Sequence, residues 1–600
     1  MRQMAFGVAG LVLAGMSWAQ VTERESVNSG GVQAESGAEL PNVQGRVVSA
    51  DGRYVVFMSS SSNLVPGDTN GTWDIFLRDR LRGSTERLSI ATSGSQGNGF
   101  SGLYGITMTP DGRFVAFESR ANTLVPGDTN GVSDIFLRDR WNGTTVRVSV
   151  GAGGVQGNNE SWFPSISSDG RYIAFMSRAS NLVLGDTNAA DDVFVHDRVT
   201  GATDRVSVSG GGAQGDLRSD MPSISANGRL VAFRSVATNL VPGDTNASDD
   251  VFVHDRATGA TERISVATGG GQGDHGSAAP TISSDGRFVA YTSYASNLVP
   301  GDTNGTFDVF LYDRRSGTTE RVSVATGGVQ GNNQSTFASI SADGRFVAFE
   351  SVASNFVPGG AHGLNVYVRD RLNGTTDIVS LTTGGAQTHY GLNELPSISE
   401  DGRYVVFRSY DRDLVPGDSN GLGDVFLRDR EAAGFISLCD PGVGGVIGCP
   451  CLNPPGGSGQ GCDNSSATGG SVLSASGIAY LSIDSLVFTT SGELPTALSV
   501  LMQGNALLAN GVVYGQGIRC SGGMTKRLFV KAAVAGDMTA PDFAAGDPTV
   551  SARSAAKGDV IQAGQSRWYL VYYRDPTVLG GCPATSTFNA TQTGQVTWWP

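Results

Sequence analysis

The first 438 residues contain no cysteine, and the whole chain of 600 has only six. No disulfide or cysteine metal site can brace the larger part of the molecule. Charge is scarce too: Asp, Glu, Lys and Arg make up 16% of the sequence, with a net charge of −14. That balance lacks the basic face that sequence-independent nucleic-acid binding needs. Beyond residue 20 there is no long apolar run, so no integral membrane domain is expected. Few stretches carry the apolar period of a helix. What is plentiful is glycine, 84 residues set among short Val- and Phe-rich runs. This favours short strands joined by many turns. Six hundred residues exceed a single core, so more than one domain is expected.

The N-terminus has the form of a secretory signal. Arg2 supplies the positive start, Ala5 to Gly15 a short apolar run, and Ser17-Trp18-Ala19 a cleavage site after Ala19. The expectation is an exported product in the periplasm, at the cell surface or outside the cell.

A marker, Asp/Asn-Gly-Arg, begins at Asp51, Asp111, Asp169, Asn227, Asp285, Asp343 and Asp401. One interval is 60 residues and the other five are 58. A repeat of this length signals an array or a propeller. Each copy reads as four short strands, exemplified by Pro164–Ser167, Tyr172–Phe175, Asp192–Asp197 and Asp204–Val208. Asp-Gly and Thr-Gly between them are hairpin signals. Four antiparallel strands per repeat make a propeller blade. An open solenoid is the competing arrangement. Against it, Val21–Val27 looks like a fourth strand with no first three ahead of it, so it is expected to pair with the last blade and close the ring. Seven links, at Gln33, Gln96, Gln156, Gln214, Gln272, Gln330 and Gln387, serve seven blades. An eighth fourth-strand candidate, 434–438, is expected to be the exit from the ring.

The strings Ser-x-Asp-Gly-Arg-x-Val-Ala-Phe and Asp-Val-Phe-Leu-x-Asp resemble the WD40-like (PD40) repeat of TolB-type β-propellers over residues 21 to about 435. The resemblance implies a propeller; that superfamily is typically six-bladed, and seven copies depart from it. TolB itself works in an envelope complex with a peptidoglycan-associated lipoprotein. Its own N-terminal domain has no counterpart here, so that role is not carried over.

In strand one the position two before the Asp-Gly turn always bears a hydroxyl: Ser49, Thr109, Ser167, Ser225, Ser283, Ser341 and Ser399. Such hydroxyls either line a polar channel or cap the turn, and capping is favoured by their closeness to it. The links between strands two and three, and between blades, are long and share one face of the disc. That face is where a ligand is expected.

The loop motif Gly-Asp-Thr-Asn-Gly-x-x-Asp supplies Asp68, Asn70, Asp74; Asp128, Asn130, Asp134; Asp186, Asn188, Asp192; Asp244, Asn246, Asp250; Asp302, Asn304, Asp308; and Asp418, Asn420, Asp424. Oxygen ligands alternating around a turn resemble part of a calcium loop. The pattern departs from the calcium loops of propellers, with Pro66 at the first ligand position and no closing bidentate acid. An Asx-stabilised turn is the plainer reading. Blade six lacks the motif and has Gly359–Asn365 instead.

Of the five histidines, His196 and His254 share a strand position that is Arg or Tyr in other repeats, which marks a strand face. His275, His362 and His389 lie in long loops without a matched nucleophile and orienting acid. The string Gly417-Asp418-Ser419-Asn420-Gly421 is part of the recurring loop motif, not a strand-to-helix nucleophile elbow. The recurring Gln is expected to tie neighbouring loops together. Phe100, Tyr104, Trp162, Phe163, Phe337 and Tyr390 are placed in the links, either packing over blade edges or stacking on a glycan.

Six cysteines crowd into the C-terminal part, and proximity suggests the pairs Cys439–Cys449, Cys451–Cys462 and Cys520–Cys582 among other connectivities. Residues 439–470 form a Cys-, Gly- and Pro-rich linker, and 471–600 read as an antiparallel β-sandwich. The cysteine pattern and the closing Val-Thr-Trp resemble a terminal domain of exported bacterial proteins. Its Tyr569, Tyr572, Tyr573, Trp598 and Trp599 are either core or a sugar platform.

The sequence therefore points to an all-β chain: a signal at 1–19, a seven-bladed propeller over 20–438 and a disulfide-bonded sandwich. The expected role is a monomeric, non-enzymatic scaffold for a protein or glycan partner. A hydrolase or lyase acting on polysaccharide or peptide, and a TolB-type envelope assembly factor, are the alternatives. No cofactor is called for, calcium being the one candidate. A tight acid/base pair at the channel mouth would speak for the enzyme.

Overall fold

The computed structural model describes residues 21–430 except 42–44, 383–384 and 389–390. From 431 onward it describes all but 431–435, 438–447, 450–454, 456–460, 466, 468–469, 477–478, 480–483, 485, 515, 535, 544, 563–564, 576–586, 592 and 599–600. The signal-like segment therefore lies outside the described residues. Two compact units emerge among the described residues: Val21–Arg430, and a second formed by the chain beyond it.

The first unit is a seven-bladed β-propeller. Blade five shows the plan: strand one Ser277–Ile282, strand two Phe288–Ser293, strand three Asp308–Asp313 and strand four Thr318–Arg321, each antiparallel to the next. Strand one starts earlier than the Pro-Ser-Ile-Ser reading, so Trp162 and Phe163 belong to strand one of blade three, Ser161–Ile166, rather than to a link. Blade one departs from the plan. Its strand one is reduced to the bridges Glu39↔Met58 and Val48↔Val55. Blade seven, Asn393–Ile398, Tyr404–Ser409 and Asp424–Asp429, takes Val21–Arg24 as its fourth strand, in the register Val21↔Asp429 to Arg24↔Phe426. The ring closes as the displaced N-terminal strand requires.

Both faces of strands two and three are buried, which is why they read as near-continuous apolar runs. Ala290, Val309 and Leu311 of blade five pack on Val347 and Phe349 of blade six. Val289, Tyr291 and Phe310 pack the other way, on Ala232 and Val253 of blade four. The period of two thus sends alternate side chains into alternate interblade layers.

The Asp-Gly-Arg turn is a compact latch. Ser283 Oγ donates to Asp285 Oδ1 at 2.7 Å, and the same oxygen accepts from Arg287 N at 2.9 Å. Ser283 Oγ also accepts from Phe288 N at 2.9 Å, so this hydroxyl caps its turn, as do Ser49 and Ser167. Gly286 has φ +73°, and a Cβ there would come within 2.2 Å of Leu230 Cδ1 of the preceding blade. Conformation and interblade contact both demand glycine. The arginine closes a fork on the last residue of strand three: Arg287 Nε and Nη2 donate to Asp313 at 2.9 and 2.7 Å. The same fork recurs in every blade, from Arg53–Asp79 to Arg403–Asp429.

These forks predict an acid limit. The Arg171 hydrogen bond holds Asp197 well below the carboxylate range. Asp139, pushed up by burial but pulled down further by Arg113 and Asn142, sits at about 2. A depressed carboxylate stabilises the fold above its unfolded value of 3.8, and that stability goes as pH falls toward 2. Asp424 works the other way. Burial raises it to about 6 against its Ser26 and Arg24 partners, so it costs stability as pH rises from 3.8 through 6. The melting temperature should therefore rise slightly from pH 7 to pH 5 and fall steeply below pH 4. Replacing Asp424 with Asn should shrink the first limb, to which buried Glu25, raised to about 7, also contributes, and leave the second.

In the second unit, one sheet runs in the order Ile436–Ser437, Gly594–Thr597, Ser566–Arg574, Leu498–Gly504 and Lys526–Ala532, with Phe588–Ala590 beside Ser566–Arg574. A smaller sheet holds Val472–Ser476, Val487–Ser491 and Met538–Ala540, and Ala506–Tyr514 pairs with Gly517–Gly522. Leu473 and Phe488 of the small sheet pack on Leu501, Tyr569 and Trp598 of the large one, which makes a sandwich. The segment expected as the exit strand, 434–438, contributes Ile436–Ser437 to this unit by pairing with Gly594–Thr597, not to the propeller. A helix, Val550–Ala556, lies where no helix was expected. Its signals are local: Thr549 caps it through Ala552 N, and Gly558 follows at φ +80°.

The described disulfide joins Cys449 to Cys462, with Cα atoms 5.7 Å apart. This overturns both Cys439–Cys449 and Cys451–Cys462. Sequence proximity misled because pairing is set by where the tertiary fold brings the sulfurs, not by order along the chain. Cys520 is disulfide-bonded as well. Cys439, Cys451 and Cys582 lie outside the described residues, so the expected Cys520–Cys582 pair does too.

Candidate functional site

The Asp-Thr-Asn loops lie on the loop face, and their polar groups are satisfied by the blade itself. In blade five, Asp308 is buried and its Oδ1 accepts from Ser323 Oγ, 2.5 Å. Its Oδ2 accepts from Asn304 Nδ2 at 3.0 Å and Gln330 Nε2 at 3.0 Å. Asp302 accepts from the same glutamine at 2.8 Å. Between the two acids sits a cation from strand four: Arg321 Nη1 is 3.4 Å from Asp302 and 3.7 Å from Asp308. The same constellation holds Asp68, Asn70 and Asp74 around Arg87, Asp128, Asn130 and Asp134 around Arg147, and Asp186, Asn188 and Asp192 around Arg205. Asp244 and Asp250 hold Arg263, with Asn246 bonding Gly273 O; Asp418 and Asp424 take Arg24 from the closing strand, with Asn420 bonding Ala34 O. The recurring Gln does tie link to loop. A guanidinium stands where the calcium reading would place the ion. Among the described residues no group of three or more His, Cys, Asp or Glu is arranged to hold a metal.

Blade six confirms that the loop acids and the arginine form one unit. Gly360 stands in place of Asp302, Asn365 in place of Asp308 and Ile378 in place of Arg321. All the charges vanish together. The blade braces itself with neutral groups: Ser380 Oγ donates to Asn365 Oδ1 at 2.9 Å, and Asn365 Nδ2 donates to His362 O at 2.8 Å.

The hydroxyls on the axis are not the turn-capping set but those two residues earlier: Thr107, Ser165, Ser223, Thr281 and Ser339. They stitch blades together; Ser165 Oγ accepts from Ile224 N and Ser223 Oγ from Ile282 N, each at 3.1 Å. The axial cavity is only 70 Å³, room for a few waters. Arg46, paired with Glu400 at 3.1 Å, lines it. The cavity is too small for a ligand of ordinary size; a larger open cavity, about 440 Å³, lies beside the closing strand among Glu23, Arg24, Arg78, Arg80 and Pro416.

The mouth on the loop face is where the repeats stop repeating. Near its loop-face end, strand two reads Phe or Tyr, then x, then Ser in every blade. The middle position is Met58, Glu118, Met176, Arg234, Thr292, Glu350 and Arg408 in turn, of which Met58, Glu118, Met176, Thr292 and Glu350 are buried, so that only part of the column can face a ligand. Its neighbour in strand one varies likewise, with Trp162, Asp220, Ala278, Thr336 and Glu394. The next residue of strand one is a non-glycine at positive φ in five blades: Phe163, Met221, Ala279, Phe337 and Leu395, φ 49–57°. Strain repeated at one place beside a β-bulge is a known mark of functional positions.

Two kinds of chemistry meet there. On one side, Tyr104 and Trp162 have ring centroids 5.1 Å apart, Phe163 is 6.2 Å from Tyr104, and Arg178 lies 4.8 Å over Trp162. On the other, Arg408 is shared by Glu39 and Glu394, with Nε 2.9 Å from Glu394 Oε1. Glu350 accepts from Leu395 N at 2.8 Å and Thr336 Oγ1 at 3.0 Å. Burial and the neighbouring Glu350 carboxylate push Glu394 up to about 7. Glu118 accepts from Ser133 Oγ at 2.6 Å and is raised by burial. Asp220 and Arg234 form a buried fork.

The remaining candidates settle elsewhere. His196 and His254 each bond a strand-four threonine at 2.9 Å and are strand-face residues. His275 is exposed beside Asp274 and Tyr294. His362 is exposed at the blade-six loop, while His389 and Tyr390 lie outside the described residues. Phe100 packs against Trp73, and Phe337 lines a small axial recess with Leu40 and Leu395. In the second unit Tyr569, Tyr573 and Trp598 are fully buried, and Trp598 Nε1 donates to Tyr569 OH at 3.1 Å. That excludes these three from a sugar platform. Tyr572 packs with Tyr514 and Phe588; Trp599 lies outside the described residues.

No protein-family model and no curated protein matches the chain. Among solved structures it is similar to an oligogalacturonate lyase in complex with manganese, at 14% identity and TM-score 0.42, over 69% of this chain and 96% of that one. It is similar to a putative TolB from Agrobacterium tumefaciens, at 15% identity and TM-score 0.32, over 58% and 94%. TolB from Acinetobacter baumannii is similar at 15% identity and TM-score 0.31, over 68% and 88%. At such distances these likenesses assign no role to any residue, and what identifies the first unit is its own topology: seven blades, closed by the N-terminal strand.

Proposed function

We propose that this is an exported binding protein whose propeller receives a protein or glycan at the axial mouth of its loop face. One observation carries the reading. The turn and its arginine fork recur in all seven blades, whereas the strand-two and strand-one positions at the mouth differ from blade to blade and carry Glu, Arg and Trp. Repeats diversify where they are read by a ligand, because a rigid ring can hold varied side chains at no cost to the fold. The leader-like N-terminus and the Cys449–Cys462 disulfide support export.

A binding screen against glycans and envelope proteins, with and without calcium, tests this. Trp162→Ala and Tyr104→Ala should each weaken the binding found by about tenfold or more, the scale of a central contact. Calcium should leave it unchanged, since arginine fills the loop sites. Mouth variants that bind as well as the parent would refute the reading.

A second reading rests on Glu350 and Glu394. Burial and the Glu350 carboxylate raise Glu394 while the Arg408 guanidinium beside it favours the ionised form, and two carboxyls this close are a pairing that general acid–base chemistry uses. A hydrolase or lyase would release products from polysaccharide or peptide substrates, and Glu394→Gln would abolish that release.

A further inference from the structure

On the face opposite the loops, each blade presents an arginine directly after strand three. In most seams this arginine meets a carboxylate from the preceding blade's outer strand. Arg140 lies 2.6 Å from Glu86, Arg314 2.6 Å from Glu262 and Arg256 3.6 Å from Asp204, while Arg80 meets Glu23 of the closing strand at 2.6 Å. The seam between blades two and three breaks the rule. Val146 takes the acid's place, 45% exposed, and among the described residues Arg198 has no ion pair, donating only to Gly170 O at 2.9 Å.

The same seam carries an exposed aromatic. Trp141, in the tight turn before the outer strand of blade two, is 65% exposed. It covers the Arg113 guanidinium at 4.7 Å, and both Arg113 and Arg198 lie over the Phe114 ring at 4.5 Å. A stack of ring and cation thus runs from an exposed indole to an arginine without its carboxylate. Exposed Trp and Arg beside apolar surface are the residues that dominate protein interfaces.

We propose that this seam docks an acidic peptide segment of a partner protein. A Glu or Asp of the partner takes the position that Glu86 and Glu262 hold in the sibling seams, and an adjacent apolar side chain lies on Val146 and Trp141. The choice of occupant rests on charge complementarity, since the ring itself shows how a carboxylate seats on this arginine. The site is separate from the loop-face mouth and stands or falls independently of it.

The test uses the full chain and fluorescent octapeptides bearing one Glu flanked by Leu or Phe, each paired with its Gln counterpart. Glu peptides should bind about tenfold tighter than Gln peptides, the scale of one charge-assisted contact, with the difference shrinking at high salt. Arg198→Ala should erase the preference. Val146→Glu should erase it too while keeping or raising the melting temperature, because it rebuilds the ion pair its siblings have. The proposal is overturned if no peptide binds or if Val146→Glu binds like the parent. A dimer in sedimentation that Val146→Glu dissolves would overturn it in favour of a second copy of the chain.

Discussion

A chain beginning at Asn28 should fail to form a stable ring. Removing Val21–Val27 strips the fourth strand from blade seven and exposes the edge of Asp424–Asp429, an open template for aggregation. The charge consequences are larger. Arg24 is the cation for Asp418 and Asp424, and Ser26 Oγ donates to Asp424 Oδ1 at 2.6 Å. Asp424 would lose both its cation and its serine partner on the newly opened edge, a loss of about 1–3 kcal/mol by itself. Thr22, which accepts from Arg428 Nη1 at 2.7 Å, and Glu25, which pairs with Arg80 of blade one at 2.8 Å, go as well. The total approaches the whole stability of a typical domain, about 5–15 kcal/mol. Thermal melting and gel filtration should show a lost or strongly lowered transition, and a peptide spanning Gln20 to Asn28 should restore it when added in trans. A truncated chain melting at the parent temperature would show that the ring does not depend on this strand.

The second large effect concerns the loop acids. Arg321→Ile should destabilise the propeller by about 3–5 kcal/mol, because Asp302 and Asp308 are then two close, buried carboxylates with no cation. Adding Asp302→Gly and Asp308→Asn should recover most of that loss, since the triple variant reproduces what blade six already has in Gly360, Asn365 and Ile378. Denaturant unfolding of the single and triple variants measures the coupling. If the acids served instead as ligands for an external cation, Arg321→Ile would create calcium-dependent stability, read as a melting temperature rising with added calcium.

Much of the fold was legible because its causes are local. Asp285-Gly286-Arg287 announces its own turn through hydrogen bonds spanning two to five residues. Strands two and three announce their burial through unbroken apolar runs. Blade number and closure followed from counting turns and from one displaced strand. The turn-capping role of Ser283 was readable for the same reason. The Asp-Thr-Asn loops were legible as turns, yet not their partner, because Arg321 lies 19 residues beyond Asp302 on another strand and looks like any surface arginine.

The mouth was illegible for a more general reason. Glu39 and Arg408 are far apart in the chain, and only ring closure makes them neighbours. The variable column from Met58 to Arg408 was present in the sequence, but its position at the axis of the loop face depends on strand direction and blade tilt. The disulfide shows the same limit: Cys449 bonds Cys462, a partner that nearness in the list of cysteines did not select. By itself, then, the sequence determined the repeat, its seven copies, the turn chemistry and the closing strand, because each rests on hydrogen bonds and burial patterns within one blade. Which charges neutralise one another, which hydroxyls stitch the axis and which seam lacks its carboxylate were decided by the tertiary structure, because those contacts join strands and blades that only the closed ring brings together.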